Sequence, residues 1–165
     1  MCRRTVAAMN TRTTALALTL VFATALAACG SGDKRLSATE YKTKLAALDK
    51  QDSKAHANVD GLPHAKSVTQ MTAGLTAFAA AEQRLGRQVA SLKPPKNAEQ
   101  ANAALAKAFR DSAADMQHVK AAIANAKTPQ QALQTIGKLG PKMTGGPELD
   151  SALGQLKKLG YANGA

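Results

Sequence analysis

Hydrophobic residues recur every three or four positions along most of the chain after residue 36, which is the spacing of helices with one apolar face. Five such stretches can be separated, and they run from Tyr41 to Leu62, Met71 to Leu92, Leu105 to Ile123, Leu133 to Leu139 and Leu149 to Leu159. No stretch alternates with a period of two for long enough to predict a strand. The pattern therefore predicts a chain built only of helices.

Capping residues mark the beginnings of these helices. A Ser, Thr or Asn followed three residues later by Glu or Gln is typical of a helix start, and this pattern occurs at Ser37, Ser67, Asn97 and Thr128. A proline follows Thr128 at the first helical position, which strengthens that start. A Gly-Gly pair at Gly145 interrupts the last part of the chain and predicts a break between the final two helices.

Short connections between long amphipathic helices make consecutive helices antiparallel neighbours. We therefore predict an all-α fold, an up-down antiparallel helical bundle of four to five helices with an interrupted C-terminal arm. The hydrophobic share of 45% is rich in alanine. Because alanine favours helix but buries little surface, we expect closely packed helices around a thin core.

The first 28 residues differ in composition from the rest of the chain. They contain three arginines and no acidic residue, and the 14 residues from Ala15 to Ala28 are apolar apart from two threonines. That run is shorter than the roughly 18–20 residues of a membrane-spanning helix. A positive start, a short apolar core and small residues at its end indicate an export signal.

The end of this segment, Leu26-Ala27-Ala28-Cys29-Gly30, resembles the lipobox of bacterial lipoproteins. The resemblance implies that the Cys29 thiol receives a diacylglyceryl group with fatty acyl chains such as palmitate. It also implies that a signal peptidase recognises Leu26, Ala27 and Ala28 and cuts before Cys29. An ordinary secretory signal with a cysteine beyond its cut site is the alternative. Translation from Met1 or from Met9 would leave either arrangement intact.

Cleavage before Cys29 would divide the chain into four parts: a signal peptide (1–28), a lipidated flexible tether (29–36), a helical-bundle domain (37–160) and a C-terminal tail (161–165). The formal net charge would fall from +11 to +8, because three arginines leave with the signal. Cys2 leaves as well, so the bundle would carry no free thiol. The predicted location is the extracytoplasmic face of the cell membrane.

Composition argues against several function classes. Two cysteines are too few for a disulfide-stapled miniprotein or a four-ligand zinc module. There is no Gly-rich phosphate loop after a strand-like run, and few aromatic residues are available to stack on bases. We predict a non-catalytic binding or structural module without a cofactor. Its expected partners are the membrane, through the lipid, and an envelope protein or an anionic wall polymer, but no nucleic acid.

Two acidic residues interrupt the apolar stripes of the first two helices. If these helices pair with residue numbers that sum to about 133, Asp52 faces Glu82, and His56 lies one turn from Asp52. This arrangement suggests a metal site of Asp52, His56 and Glu82, or a carboxylate pair with a raised pKa. The simpler expectation, which we favour, is a slight rotation that exposes both acids and turns Ala81 to the core. The acids would then pair with nearby basic residues, namely Lys54, Arg84 and Arg110.

Three short motifs resemble a broad group of small, mostly uncharacterised exported helical proteins of actinobacteria. They are Leu-Ser-Ala-Thr-Glu-Tyr at residues 36–41, Leu-Lys-Pro-Pro at 92–95 and Leu-Gly-Tyr at 159–161. Members of the group often carry one cysteine early in the first helix and another near the C-terminus, which the resemblance pairs as a disulfide. Asp49 and Asn163 stand at about those places here. The resemblance implies an envelope helical bundle and no particular activity.

Overall fold

A computed structural model describes residues 34–162 of the chain. In that range there are five α-helices and no strand: α1 (Ala38–Asp60), α2 (Val68–Ser91), α3 (Glu99–Ile123), α4 (Pro129–Leu139) and α5 (Gly145–Lys158). Short 3₁₀ turns lie before α2, before α3 and after α4. The all-α bundle is confirmed, and α4 and α5 form its interrupted arm.

Three of the four predicted helix starts are capped by the expected side chain. At the start of α1, the Glu40 amide donates to Ser37 Oγ at 3.3 Å and the Ser37 amide donates to Glu40 Oε2 at 2.8 Å. The bonds that the Ser37 amide and hydroxyl donate to Glu40 Oε2 lower the pKa of the Glu40 carboxyl. Ser67 caps α2 and Thr128 caps α4 through their hydroxyl oxygens. Capping satisfies backbone N–H groups that would otherwise lack a helical partner.

The fourth predicted start, at Asn97, is wrong. A 3₁₀ turn follows the two prolines, and α3 begins at Glu99 with no side-chain cap on Ala98. The Asn97 side chain is engaged elsewhere, since its Oδ1 accepts a hydrogen bond from the Tyr161 hydroxyl at 3.0 Å. A long-range contact with the C-terminal segment has therefore replaced the local cap.

α2 and α3 form the central antiparallel pair, with α1 packed on α2, and α5 and α4 packed along α3. The core divides into three clusters along the bundle. At one end, which we call the termini end, the buried residues include Tyr41, Val89, Leu105, Leu156 and Tyr161. At the other, which we call the α4 end, they are Met71, Leu75, Val119, Ile123 and Ala132. A small middle cluster contains Ala55, Phe78 and Ala81.

Both ends of the described chain are attached to the termini end. The Leu36 amide donates to the Lys93 carbonyl at 2.8 Å, and the Arg35 guanidinium donates to the Pro94 carbonyl at 3.2 Å and pairs with Glu99. Tyr161, at the beginning of the predicted tail, is only 9% exposed. The packed structure thus includes the last two residues assigned to the tether and the first residue assigned to the tail.

The break between α4 and α5 is shaped by α3. α5 begins at Gly145, where a Cβ atom would clash with the backbone of Ser112. One oxygen of Asp115 accepts hydrogen bonds from the amides of Thr144 and Gly145, each at 2.9 Å. A carboxylate from α3 therefore caps the N-terminus of α5, where the helix dipole also favours negative charge. The glycine permits this close approach of the two helices.

Candidate functional site

A polar layer crosses the middle of the bundle, and it consists of Asp52 from α1, Glu82 from α2 and Ser112 from α3. Glu82 is 1% exposed, and both Asp52 and Ser112 lie within hydrogen-bonding reach of its carboxyl group. The Asp52 side chain is 18% exposed. The structure thus brings Asp52 and Glu82 together, as the predicted register requires. We refer to these three residues as the middle polar layer.

The expectation that both acids turn to solvent is wrong, because Glu82 is buried and Asp52 is half-buried. Glu82 and Ala81 are both buried, at 1% and 8% exposure. The physical reason is that α1 and α3 cover α2 from two sides, so its buried face is wider than the single stripe that the spacing suggests. Nor do the expected ion pairs form in the described chain: neither acid lies within 4 Å of the charged nitrogens of the exposed residues Lys54, Arg84 and Arg110.

Burial determines the protonation state of Glu82 in this layer. Burial, and then the negative charge of Asp52, raises the pKa of Glu82 to about 8, while the neighbouring Ser112 hydroxyl acts in the opposite direction. Because removing a charge from water is costly, Glu82 holds its proton at neutral pH. Within the described structure, Asp52 Oδ1 and Glu82 Oε1 are buried and have no hydrogen-bond partner.

His56 lies at the outer edge of this layer. Its Nε2 is 3.7 Å from Asp52 Oδ1, its side chain is 49% exposed, and its ring centre is 5.1 Å from that of Phe78. His56 therefore faces outward from Asp52, whereas Glu82 faces inward. Among residues 34–162, no group of three His, Cys, Asp or Glu side chains is placed to hold a metal ion. The remaining histidines, His64 and His118, are exposed and separate from the layer.

A second buried polar cluster lies at the termini end, and the sequence analysis did not identify it. The Tyr41 hydroxyl donates to Asn102 Oδ1 at 3.0 Å, and Asn102 Nδ2 donates to the Val89 carbonyl at 3.1 Å. Burial raises the pKa of Tyr41 to about 12, and its ring meets Tyr161 edge to face at 5.2 Å. We call Tyr41 and Asn102 the tyrosine–asparagine pair. One signal was available, since Asn102 precedes Leu105 by three residues on the apolar stripe.

Two surface grooves of moderate size can be described on the bundle, and the middle polar layer lines neither of them. One, of about 490 Å³, lies at the α4 end between α2 and α3, and its lining includes Val68, Thr72, Gln117 and Lys120. The other, of about 420 Å³, lies between α1 and α2 near Asn58 and Gly74. Their linings are small, amide and hydroxyl side chains with one lysine. Such surfaces offer contacts for binding but no paired acid and base.

The residues predicted for lipidation and signal cleavage, Cys29 and Leu26 to Ala28, lie outside the described residues. Within residues 34–162, no helix combines the length and apolar character needed to cross a membrane. No family model, curated protein or solved structure matches this chain.

Proposed function

We propose that this protein is a lipid-anchored helical bundle on the extracytoplasmic face of the cell membrane, and that it acts as a non-catalytic binding or structural module. One observation carries the proposal. The lipobox-like sequence ends at Cys29, and only six residues later Arg35 is bonded to the bundle. A lipid on Cys29 would thus hold a folded domain within about 20 Å of the membrane.

The distribution of polar groups supports binding over catalysis. The most perturbed carboxyl group, Glu82, is almost fully buried and lies in neither groove. A substrate at the surface would have no access to it. The groove linings instead suit contact with a partner, and an envelope protein or an anionic wall polymer fits the net positive charge that remains after signal cleavage.

The lipid anchor can be tested by metabolic labelling with palmitate in a bacterial host. We expect label in the wild-type protein, a processed N-terminus at residue 29 and complete loss of label in Cys29→Ser. Cys2→Ser is the matched control, because it removes the other cysteine and should leave labelling unchanged. Label that persists in Cys29→Ser, or that is lost in Cys2→Ser, would overturn the anchor.

The binding role requires a separate measurement. The intact wild-type protein, cross-linked in its own envelope and purified in detergent, should carry a reproducible protein or wall-polymer partner that a Cys29→Ser preparation does not carry. An equal partner set in both preparations would contradict a role that depends on placement at the membrane.

Metal binding is the second candidate function, through Asp52, His56 and Glu82, although these three side chains are not placed as one ligand group in the described structure. It is favoured by the two adjacent carboxyls with unpartnered oxygens and by the proximity of His56 to Asp52. Elemental analysis of purified protein tests it directly. A stoichiometric metal that is lost in Glu82→Gln, but retained when the exposed residue Glu40 is changed to Gln, would establish this function in place of the first.

A further inference from the structure

The position of the tether selects one end of the bundle to face the membrane. Arg35 and Leu36 bond to the carbonyls of Pro94 and Lys93, which belong to the turn between α2 and α3. Five residues, 30–34, separate this attachment from Cys29. The long helix α1 has 23 residues and extends about 35 Å, so a lipidated Cys29 reaches the headgroups near the termini end and the α4 end lies far from them.

Exposed lysines are carried by three segments at the termini end. Lys34 precedes the attachment, Lys96 lies in the turn, and Lys157 and Lys158 form the last turn of α5. The hydrogen bond from Tyr161 to Asn97 joins the end of α5 to this turn. The four lysines are thus carried on one connected surface.

Two acidic side chains of the described residues lie near this surface, and both are engaged. Glu99 pairs with Arg35, and Glu40 is bonded to Ser37 in the capping box of α1. The charge of Lys34 also acts on Glu40, but the basic side chains of this surface outnumber these two acids. Its electrostatic character is therefore positive.

An exposed leucine lies beside the lysines. Leu159 is 39% exposed, and it follows Lys157 and Lys158 directly at the end of α5. Gly160 then adopts a left-handed φ of 76°, and the Tyr161 amide donates to the Leu156 carbonyl at 2.8 Å. This turn closes the helix in the manner of a Schellman motif and buries Tyr161. It leaves Leu159 outside the core.

We propose that the termini end is a membrane-contacting face, with Lys34, Lys96, Lys157 and Lys158 on anionic lipid headgroups and Leu159 at the boundary with the acyl chains. This inference rests on the proposed lipid anchor. Each lysine near an anionic leaflet favours this orientation about five-fold. The bundle then stands upright and presents its α4 end away from the membrane.

The full-length lipidated protein in vesicles of phosphatidylglycerol and phosphatidylcholine provides the test. Its processed chain has no free thiol, because Cys29 is lipidated and Cys2 is removed. A polarity-sensitive fluorophore can therefore be attached at Leu159→Cys alone. Leu153→Cys is the matched control, since Leu153 is also on α5 and is 38% exposed. We expect a blue shift at position 159 and none at position 153.

Charge reversal then identifies the partner. In the Leu159→Cys background, Lys157→Glu with Lys158→Glu should abolish the blue shift. Lys138→Glu with Lys142→Glu makes the same charge change at the α4 end and should preserve the shift. Replacing phosphatidylglycerol by neutral lipid, or adding about 0.5 M salt, should weaken it because the contact is electrostatic. A shift of equal size with neutral lipid would overturn the headgroup contact.

Mass spectrometry of the N-terminal peptide separates the two ways in which the idea can fail. If Cys29 carries no lipid, both the proposed lipid anchor and the membrane-contacting face are wrong. If Cys29 is lipidated but positions 153 and 159 respond equally, or neither responds, the anchor stands and the membrane face is wrong. Circular dichroism of each variant excludes loss of the helical fold as the cause.

Discussion

The tyrosine–asparagine pair and the middle polar layer both bury polar side chains in one bundle, but only the first pairs their polar atoms. Tyr41 and Asn102 form two hydrogen bonds at 3.0 and 3.1 Å, one to each other and one to a backbone carbonyl. Asp52 and Glu82 each keep one buried oxygen without a partner. The same helices α1, α2 and α3 supply both sites.

This difference has consequences for stability. A buried polar group with a hydrogen bond contributes modestly to stability, whereas a buried group without one carries its full desolvation penalty. In the middle polar layer the penalty is limited because Glu82 stays protonated at neutral pH and so avoids burying a charge. The stability of the termini end should therefore be nearly independent of pH near neutrality, and that of the middle polar layer should depend on it.

The largest expected effect is the pH dependence that Glu82 confers. Its pKa rises from 4.5 to about 8 on folding, so the unfolded chain loses this proton first as pH increases. The stabilisation is complete below pH 4.5 and is lost progressively up to about pH 8. At about 1.4 kcal/mol for each pH unit, the loss is on the order of 4 kcal/mol. Urea unfolding at pH 4.5, 6 and 8 measures it.

Glu82→Gln isolates this contribution, because glutamine keeps the shape and cannot ionise. Relative to the wild type, the variant should become steadily more stable as pH rises through this range. Glu40→Gln is the control, since the pKa of this exposed carboxyl is lowered and not raised. Wild-type and Glu82→Gln stabilities that change in parallel with pH would contradict the assignment of the proton to the acid pair.

The next largest effect should come from Asn102→Ala at the termini end. The substitution removes both hydrogen bonds, leaves the buried Tyr41 hydroxyl without its acceptor and opens a small cavity beside Tyr41, while the Val89 carbonyl keeps its bond from the Leu92 amide. We expect a loss of about 2–4 kcal/mol in the free energy of unfolding. The loss should be equal at pH 6 and pH 8, unlike the effect of Glu82. A loss below about 0.5 kcal/mol would mean that this pair contributes little to stability.

Tyr41→Phe tests one bond of the same pair. It deletes the hydroxyl and leaves Asn102 Oδ1 without its donor, while the edge-to-face contact with Tyr161 is retained. We expect a destabilisation of about 1–2 kcal/mol by thermal or urea unfolding. Tyr161→Phe, which loses a partly buried bond to Asn97, should cost less. A larger loss of stability in Tyr161→Phe than in Tyr41→Phe would contradict the idea that the more buried bond contributes more.

The smallest effect should come from Ser112→Ala in the middle polar layer. The Ser112 hydroxyl favours the ionised form of Glu82, so its removal should raise the pKa of Glu82 further. Carbon-13 NMR titration of the Glu82 carboxyl should show its midpoint at higher pH in the variant. Stability at pH 6 should change by less than about 1 kcal/mol. A midpoint at lower pH in the variant would show that the Ser112 hydroxyl does not favour the ionised form of Glu82.

Much of the fold follows from local signals that the sequence carries. The apolar spacing locates the helices, and the caps at Ser37, Ser67 and Thr128 form as predicted because each requires only residues within one helical turn. The register that places Asp52 opposite Glu82 also follows, since two antiparallel helices with known apolar positions have few ways to align. At Asn97 the predicted cap does not form, because its side-chain oxygen accepts a hydrogen bond from the hydroxyl of Tyr161, which is 64 residues away.

Burial was harder to predict than position. Sequence spacing locates Glu82 on a helix, but whether it meets solvent depends on how many neighbours cover α2, and that is a property of the assembled bundle. Asn102 illustrates the same limit, because its partners Tyr41 and Val89 come from two other helices. The cap that Asp115 provides for α5 is likewise invisible to a search for local capping residues.

The sequence by itself therefore determined the helices, their order, the export-like segment and the register that brings two acids face to face. These features depend on periodicity and on contacts within one turn of helix. Only the tertiary structure decided that Glu82 is buried between α1 and α3, that the Asn102 amide is hydrogen-bonded, and that Leu159 and four lysines belong to segments that are joined at the termini end. The physical reason is that burial and shared surfaces arise from helices that are distant in sequence and adjacent only after folding.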